Sequence, residues 1–384
     1  MQLRPLPVPT GPAAVAALPA LREALAGGAA VLPYAAGGHP PHVTGGAVPD
    51  DGTALVVGTS GSTGAPKLAM LPIAALAASA AATHERLGGP GTWLLAMPAH
   101  HIAGVQVLLR CVAAGTEPAF VDLSDGFTAR GFTRAADALG GVRRYTALVP
   151  TQLRRLLDDP AAAASLATLD GVLVGGAATS AGLLDRARSA GVTAVTTYGM
   201  SETAGGCVYD GHPFSCSAIR VDEDGRIELG GDTLASGYLG RPDLTERSFH
   251  TDDDGLRWFR TDDTGHVDRT GRWHVDGRLD DVIVTGGLKV VPRLVEDALT
   301  SLPGVAEAVA VGTPDEEWGR VVSVALVLRD GAPAPEVRDL RSRLRGILPD
   351  HALPRRVVTV PALPLRGPGK PDRAEVASLF PIEE

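Results

Sequence analysis

The sequence predicts an α/β protein: a layered large N-terminal domain with a parallel sheet and an antiparallel subdomain, followed by a small α+β C-terminal domain. Three observations carry that prediction. Short β-prone runs alternate with alanine- and leucine-rich stretches as far as residue 197, the order that builds a parallel sheet covered on both faces. Beyond residue 215 the β runs shorten and Asp-Gly pairs separate them, as in antiparallel hairpins. From residue 282 a fresh mixture of strands and helices begins, about 100 residues long and so of ordinary domain size.

The elements follow in order. Pro5, Pro7, Pro9 and Pro12 stud the leader and Pro19 breaks the stretch after it, so it does not read as a signal peptide. Strands are expected at 54–57, 93–96, 117–121, 145–149, 171–174 and 192–197, with helices at 151–157 and 181–190 among them. The longest nearly apolar run, 70–82, contains Pro72 and Ser79. It falls short of the roughly 18 residues that suggest a membrane span, so no membrane insertion is expected. Strands at 218–221, 227–229 and 273–275 come next, with hairpin turns expected at Asp224-Gly225, Asp254-Gly255 and Asp276-Gly277. A charged run at 278–281 precedes the last unit, whose expected strands are 282–285, 305–311, 321–328 and 356–360 and whose helices are 294–302 and 334–348. The final glycine-rich segment, 365–370, leaves Lys370 on a loop.

Composition narrows the function. With 384 residues, 45 % of them apolar, the chain has material for a deep core. Its formal charge of -9 argues against a general nucleic-acid binder, which needs a basic face. Cys111, Cys207 and Cys216 are odd in number and lack metal-site spacing, which points to a reducing cytoplasm and no structural zinc. No helix marks itself out as an interface, and a homodimer stays open.

Positive charge is written almost wholly as arginine: of 35 basic residues only Lys67, Lys289 and Lys370 are lysine, and each lies in or beside a glycine-rich segment. Lysine carries a compact, mobile ammonium suited to phosphate or a reacting carboxylate. Lys67 ends the run Thr59-Ser60-Gly61-Ser62-Thr63-Gly64-Ala65-Pro66-Lys67, where glycines admit close backbone approach and hydroxyls and N–H groups can surround phosphate oxygens. No glycine directly precedes the lysine and Leu68 follows it, so this is not a Walker A loop.

That run resembles the phosphate loop of the adenylate-forming superfamily of acyl-CoA synthetases, carrier-protein adenylation domains and luciferases. Tyr198-Gly199-Met200-Ser201-Glu202-Thr203 resembles the superfamily's second motif. The resemblance implies that Tyr198 lies against adenine, that Glu202 holds Mg2+, and that Thr203 lies near phosphate. Gly175-Gly176-Ala177 is similar to the glycine pair that runs along adenine. The segments 225–229 and Gly237-Tyr238 resemble a structural stretch and are assigned to the fold. Phe259-Arg260-Thr261-Asp262-Asp263 resembles the ribose-binding pattern, with Asp263 on the ribose hydroxyls and Asp262 standing where the family has glycine. Arg278 would contact ribose or phosphate, and Asp280 falls at the hinge between a large domain, 1–278, and a small mobile one, 279–384. Lys289 would serve the pantetheine route or cap the next helix, and Lys370 would meet the acyl carboxylate and α-phosphate.

The resemblance covers roughly residues 51–373 and implies ATP, Mg2+ and coenzyme A. Most of an N-terminal subdomain is expected to be absent, since the phosphate loop arrives early. The segment 98–106 and the run 197–207 resemble a branch acting on a small aromatic carboxylic acid: His101 would line the cleft, with Ile102, Met200, Gly205 and Gly206 shaping a flat pocket. A second carboxylate on such an acid needs a partner; Arg110 is at a helix-compatible offset, with solvent as its other destination. Carrier-protein loading and nonenzymatic nucleotide binding remain the alternatives.

Overall fold

The computed structural model describes residues 2–59, 67–329, 331–366 and 370–380. It comprises two compact units, one of residues 1–220 with 228–261 and the other of 221–227 with 262–384.

The first unit begins with β1 (Leu3–Val8), α1 (Leu18–Leu25), β2 (Ala30–Ala35), β3 (Thr53–Thr59), β4 (Lys67–Pro72) and α2 (Ile73–Arg86). It continues with β5 (Thr92–Leu95), α3 (Ile102–Ala114), β6 (Ala119–Phe120), α4 (Ala129–Asp137), β7 (Arg144–Leu148), α5 (Pro150–Leu157) and α6 (Pro160–Ala167). Then come β8 (Gly171–Val174), α7 (Ala181–Ser189), β9 (Ala194–Met200), β10 (Gly205–Tyr209) and β11 (His212–Pro213). The chain crosses between units inside β12 (Ser217–Val221), β13 (Arg226–Gly231) and β16 (Arg257–Val267); β14 (Gly237–Tyr238), α8 (Pro242–Ser248) and β15 (Phe249–Thr251) lie between the last two.

A seven-stranded sheet has the order β11-β10-β9-β8-β7-β5-β6. Its strands from β9 to β6 run parallel, as the strand–helix alternation requires. Leu94, Leu148, Val172 and Val174 of this sheet pack with Phe132 of α4, Leu153 and Leu156 of α5 and Leu166 of α6 in one buried cluster. A second sheet, β1-β2-β3-β4-β14, was not foreseen. The expected strand at 54–57 belongs to it rather than to the parallel sheet, and β3 pairs antiparallel with β4, with Thr59 opposite Lys67. The residues flanking the run expected to bind phosphate, Thr59 and Lys67, are therefore partners on paired strands, and Lys67 begins β4 rather than a helix.

The proline-studded leader forms β1, which lies at the edge of that sheet and, among the described residues, pairs with β2 alone. An edge strand has one row of N–H groups with no partner to meet, so proline is tolerated there. The apolar run at 70–82 splits at Pro72, which ends β4 and caps α2.

The second unit adds β17 (Trp273–Arg278), β18 (Ile283–Thr285), β19 (Leu288–Val290), α9 (Pro292–Thr300), β20 (Val305–Asp315), β21 (Gly319–Leu328), α10 (Val337–Leu344), β22 (Arg356–Thr359), β23 (Leu365–Arg366), β24 (Lys370–Pro371) and α11 (Arg373–Ser378). Strands β20, β21 and β22 form a sheet whose two faces follow the alternation of side chains. Ala310 and Val324 join Val295, Leu299, Leu340 and Leu344 on one face, while Val309, Val311 and Ala325 join Val376 and Phe380 on the other.

Three expectations fail here. Asp276-Gly277 makes no turn and lies inside β17; a Cβ on Gly277 would come within 2.6 Å of Val291 Cγ1, so this glycine serves close packing. The helix expected over 334–348 is confined to α10, with Pro335 before it and Gly346, at φ +82°, after it. Lys370 is not on an open loop: its backbone pairs with Arg366 across β23 and β24.

Candidate active site

At the carboxyl end of β9 the chain turns through Ser201–Thr203 into β10. The expected strand at 192–197 thus continues through Tyr198, Gly199 and Met200, and the motif straddles strand and turn. Thr203 is fully buried, and its hydroxyl accepts from Met200 N at 2.9 Å and lies 2.7 Å from Gly205 O. Ala204 has a left-handed backbone, φ +52°, which costs a residue with a Cβ on the order of 1 kcal/mol. Its carbonyl is held by Ser79 Oγ of α2 at 3.1 Å and Gln106 Nε2 of α3 at 2.5 Å. Gly199 is a steric requirement, since a Cβ there would lie 2.1 Å from Gly205 O.

This scaffold presents Glu202, which is 7 % exposed. The Tyr238 hydroxyl donates to its Oε1 at 2.8 Å, and its backbone carbonyl accepts from Ala235 N at 2.8 Å. Lys67 Nζ lies 5.6 Å from the centroid of the same Tyr238 ring. The structure thus brings Lys67 and Glu202 to one tyrosine. Ser60, Gly61, Ser62, Thr63 and Gly64, with Ala65 and Pro66, lie outside the described residues.

Gly175 and Gly176 follow β8. A Cβ on Gly175 would lie 2.2 Å from Thr197 Oγ1, and Gly176 has φ +78°, so the pair follows the backbone next to half-buried Tyr198. His101 caps α3, its ring 4.2 Å from that of His100. Burial holds the His100 imidazole below its usual pKa. Gly104 lets α3 start against the preceding loop, for a Cβ there would be 2.2 Å from Pro98 O. A Cβ on Gly205 would be 3.9 Å from Ile102 Cγ1, so the first turn of α3 and the Glu202 turn are neighbours, as the sequence suggests.

Arg110 does not face solvent. It is 3 % exposed, lies over the Trp93 ring at 4.9 Å, and its Nη2 is 3.4 Å from the Tyr209 hydroxyl. Cys207, beside the motif on β10, is fully buried, and burial pushes its thiol up to about 12. A thiol so held stays protonated at neutral pH and is a poor nucleophile.

In the second unit, Asp263 and Arg278 are register partners on β16 and β17, with Nη1 3.4 Å from Asp263 Oδ1. Arg278 also forks onto Asp280 through two 2.8 Å bonds, which hold its pKa above the usual arginine range. Asp262 has a negative φ within β16, so this position imposes no glycine-only backbone, and its carboxylate meets Arg226 at 3.0 Å. Lys289 is exposed on β19, after a two-residue turn in which Gly286 and Gly287 both have positive φ. The Lys370 side chain lies outside the described atoms.

Sequence reasoning missed Ser79, gave Gln106 no role beyond its place in the 98–106 run, and assigned Tyr238 to the fold. Only the pairing of β14 with β4, which sets Tyr238 opposite Ala69, reveals the reach to Glu202. Glu228 in the same stretch is structural: it is 2 % exposed and takes Arg220 at 2.8 Å and Arg260 at 3.2 Å.

Residues 10–239 match the AMP-binding enzyme family, and residues 294–370 match the AMP-binding enzyme C-terminal domain. A probable 2-succinylbenzoate–CoA ligase of Mycobacterium tuberculosis (strain CDC 1551 / Oshkosh) is 46 % identical over 383 residues, 98 % of each chain. A feruloyl-CoA synthase of Amycolatopsis is 31 % identical over 86 % of this chain and 70 % of its own length. Among solved structures, the o-succinylbenzoate CoA synthetase (MenE) of Bacillus subtilis in complex with the acyl-adenylate intermediate OSB-AMP aligns with a TM-score of 0.69 and 27 % identity, covering 84 % of this chain and 69 % of that one. The chain belongs to the AMP-binding enzyme family, within the adenylate-forming superfamily, and is an acid–thiol ligase.

Proposed function

We propose that this ligase joins 2-succinylbenzoate to coenzyme A through an acyl adenylate, releasing pyrophosphate and then AMP, as a step of menaquinone biosynthesis in the cytoplasm. The observation that carries the reading is the nearly full-length similarity to a relative bearing that name. The placement of Gly205 beside Ile102 supports it, since a residue without a side chain next to an apolar one leaves room for a flat acid.

A carboxylate oxygen attacks the α-phosphorus of ATP, and the thiol then attacks the mixed anhydride; alignment and charge compensation suffice, with no protein nucleophile. In this reading the 59–67 loop and Lys67 hold the triphosphate. Tyr198 stacks on adenine along Gly175 and Gly176, and Asp263 and Arg278 hold the ribose. His101 lines the acyl pocket. Lys370 offsets charge on the carboxylate and α-phosphate, and Lys289 serves the thiol route after rotation about Asp280, between domains 1–278 and 279–384. The buried, hydrogen-bonded Glu202 carboxylate is the oxygen donor a hard divalent cation takes. Glu202 would hold Mg2+ together with phosphate oxygens of the nucleotide, and the ion would supply charge compensation for the phosphates.

The test separates the half-reactions. Lys370→Ala should slow acyl-adenylate formation about 100-fold or more, read as pyrophosphate release. Transfer from supplied acyl adenylate to coenzyme A should change far less. Equal losses in both would contradict the assignment of Lys370 to adenylation.

A further inference from the structure

We infer that Tyr238 is a positioning residue for adenylation, its hydroxyl setting the Glu202 carboxylate and its ring steering the Lys67 ammonium. The inference rests on the proposed reading in which Glu202 takes the metal and Lys67 the phosphates.

Tyr238 is 3 % exposed and held from several directions. Its backbone pairs with Ala69 on β4, the strand that begins at Lys67. Its amide donates to Thr245 Oγ1 of α8 at 2.9 Å, and its ring meets Phe249 edge-on at 5.8 Å between centroids. Gly237 allows this approach, because a Cβ there would come within 2.5 Å of Thr245 Cγ2. The ring therefore has little freedom, and whatever it touches inherits that restriction.

Its two ends meet opposite charges. A buried phenol must find a hydrogen-bond partner, and this one donates to a carboxylate oxygen of Glu202 at 2.8 Å, a charge-assisted bond that restricts rotation of the carboxylate. The Lys67 ammonium lies 5.6 Å from the ring centroid, inside the range of about 6 Å at which a cation is drawn to a π face. A phenylalanine would fill the same volume and keep the ring for Lys67, but it would leave Glu202 without this donor. The two functions are thus separable by substitution.

The experiment compares the full-length wild type with Tyr238→Phe, Tyr238→Leu and Glu202→Gln. Manganese binding in the presence of ATP is followed by electron paramagnetic resonance, and Mg2+-dependent ATP–pyrophosphate exchange is measured alongside it. Tyr238→Phe should weaken Mn2+ binding and raise the half-saturating Mg2+ concentration about tenfold, the size expected for one hydrogen bond to a charged group. The KM for ATP at saturating metal and transfer from supplied acyl adenylate should stay within about twofold. Tyr238→Leu should add a rise in the KM for ATP, because Lys67 loses the ring. Thr245→Val, which frees the Tyr238 amide, should shift the metal constants in the same direction by less, and it serves if the Tyr238 variants do not fold. Unchanged metal constants in Tyr238→Phe, with a clear shift in Glu202→Gln, would overturn the role of Tyr238 alone. Unchanged constants in Glu202→Gln would overturn the metal role of Glu202 and this inference with it.

Discussion

Arg110 lies farther along the helix that His101 begins, and its guanidinium turns inward onto Trp93 and Tyr209. There it has an electrostatic effect on His84, whose pKa is lowered to about 4 by burial and by the Arg110 charge. A folded-state pKa below the unfolded value of roughly 6.5 means that the unfolded chain binds more protons between these limits. The contribution of neutral His84 to stability is therefore present above that window and lost as pH falls through it. Arg110→Met should make the loss between pH 7 and pH 5 shallower in urea denaturation, by letting His84 titrate higher. It should leave the KM for the acyl acid unchanged within about twofold, and a selective rise in that KM would place Arg110 at the substrate. Sequence offset alone could not decide this orientation, because residues along one helix face diverge between cleft and core according to which partner packs there. Asp262 shows the opposite case: where glycine is the family residue, the chain keeps an extended backbone and uses the added carboxylate to meet Arg226.

Elements with strong local signals were legible. The parallel strands from β5 to β9 and the helices α5 and α7 follow from alternation, while α3, α4 and α6 were not named, and the Glu202 motif stands at a strand's carboxyl end because that is where a parallel sheet exposes its turns. Elements that depend on nonlocal pairing were not. β1 is written in prolines that normally exclude a strand, and it exists because β2 is beside it. β4 starts at the lysine that ends the glycine-rich run and takes only the first three residues of the apolar run, so neither signal marks it, and Lys370 gains its pairing from Arg366. Gly104 shows how an element then sets the site. It brings α3 against the carbonyl of Pro98, while Gln106 on the same helix holds Ala204 O. Gly104→Ala should displace the first turn of α3, cost about 1–3 kcal/mol as overpacking does, and reduce adenylation more than nucleotide binding. Chemical denaturation with half-reaction assays would check both, and wild-type stability and rate in this variant would contradict the account of α3.

At the scale of the whole molecule, the proposed reaction divides its residues between the two units. Lys67, His101, Tyr198 and Glu202 belong to the first, while Asp263, Arg278, Lys289 and Lys370 belong to the second. Within the second unit, Arg373 ties α11 to Asp281 at 3.0 Å and to Glu296 at 2.6 Å, and donates to Ala310 O at 2.7 Å. The segment after Asp280, helix α9 and the chain that follows Lys370 are thereby joined in one framework. Under the proposed rotation about Asp280, this framework would carry Lys289 and Lys370 together. Sequence could name those lysines through motif resemblance, but Arg373 becomes meaningful only when its three distant partners are seen together. The reaction itself is tested most directly by acid-dependent ATP–pyrophosphate exchange across 2-succinylbenzoate, ferulate and other small aromatic acids, followed by AMP release on adding coenzyme A without any carrier protein. The account predicts exchange with 2-succinylbenzoate well above the other acids and a coenzyme A thioester as product. Exchange with another acid and none with 2-succinylbenzoate would contradict it.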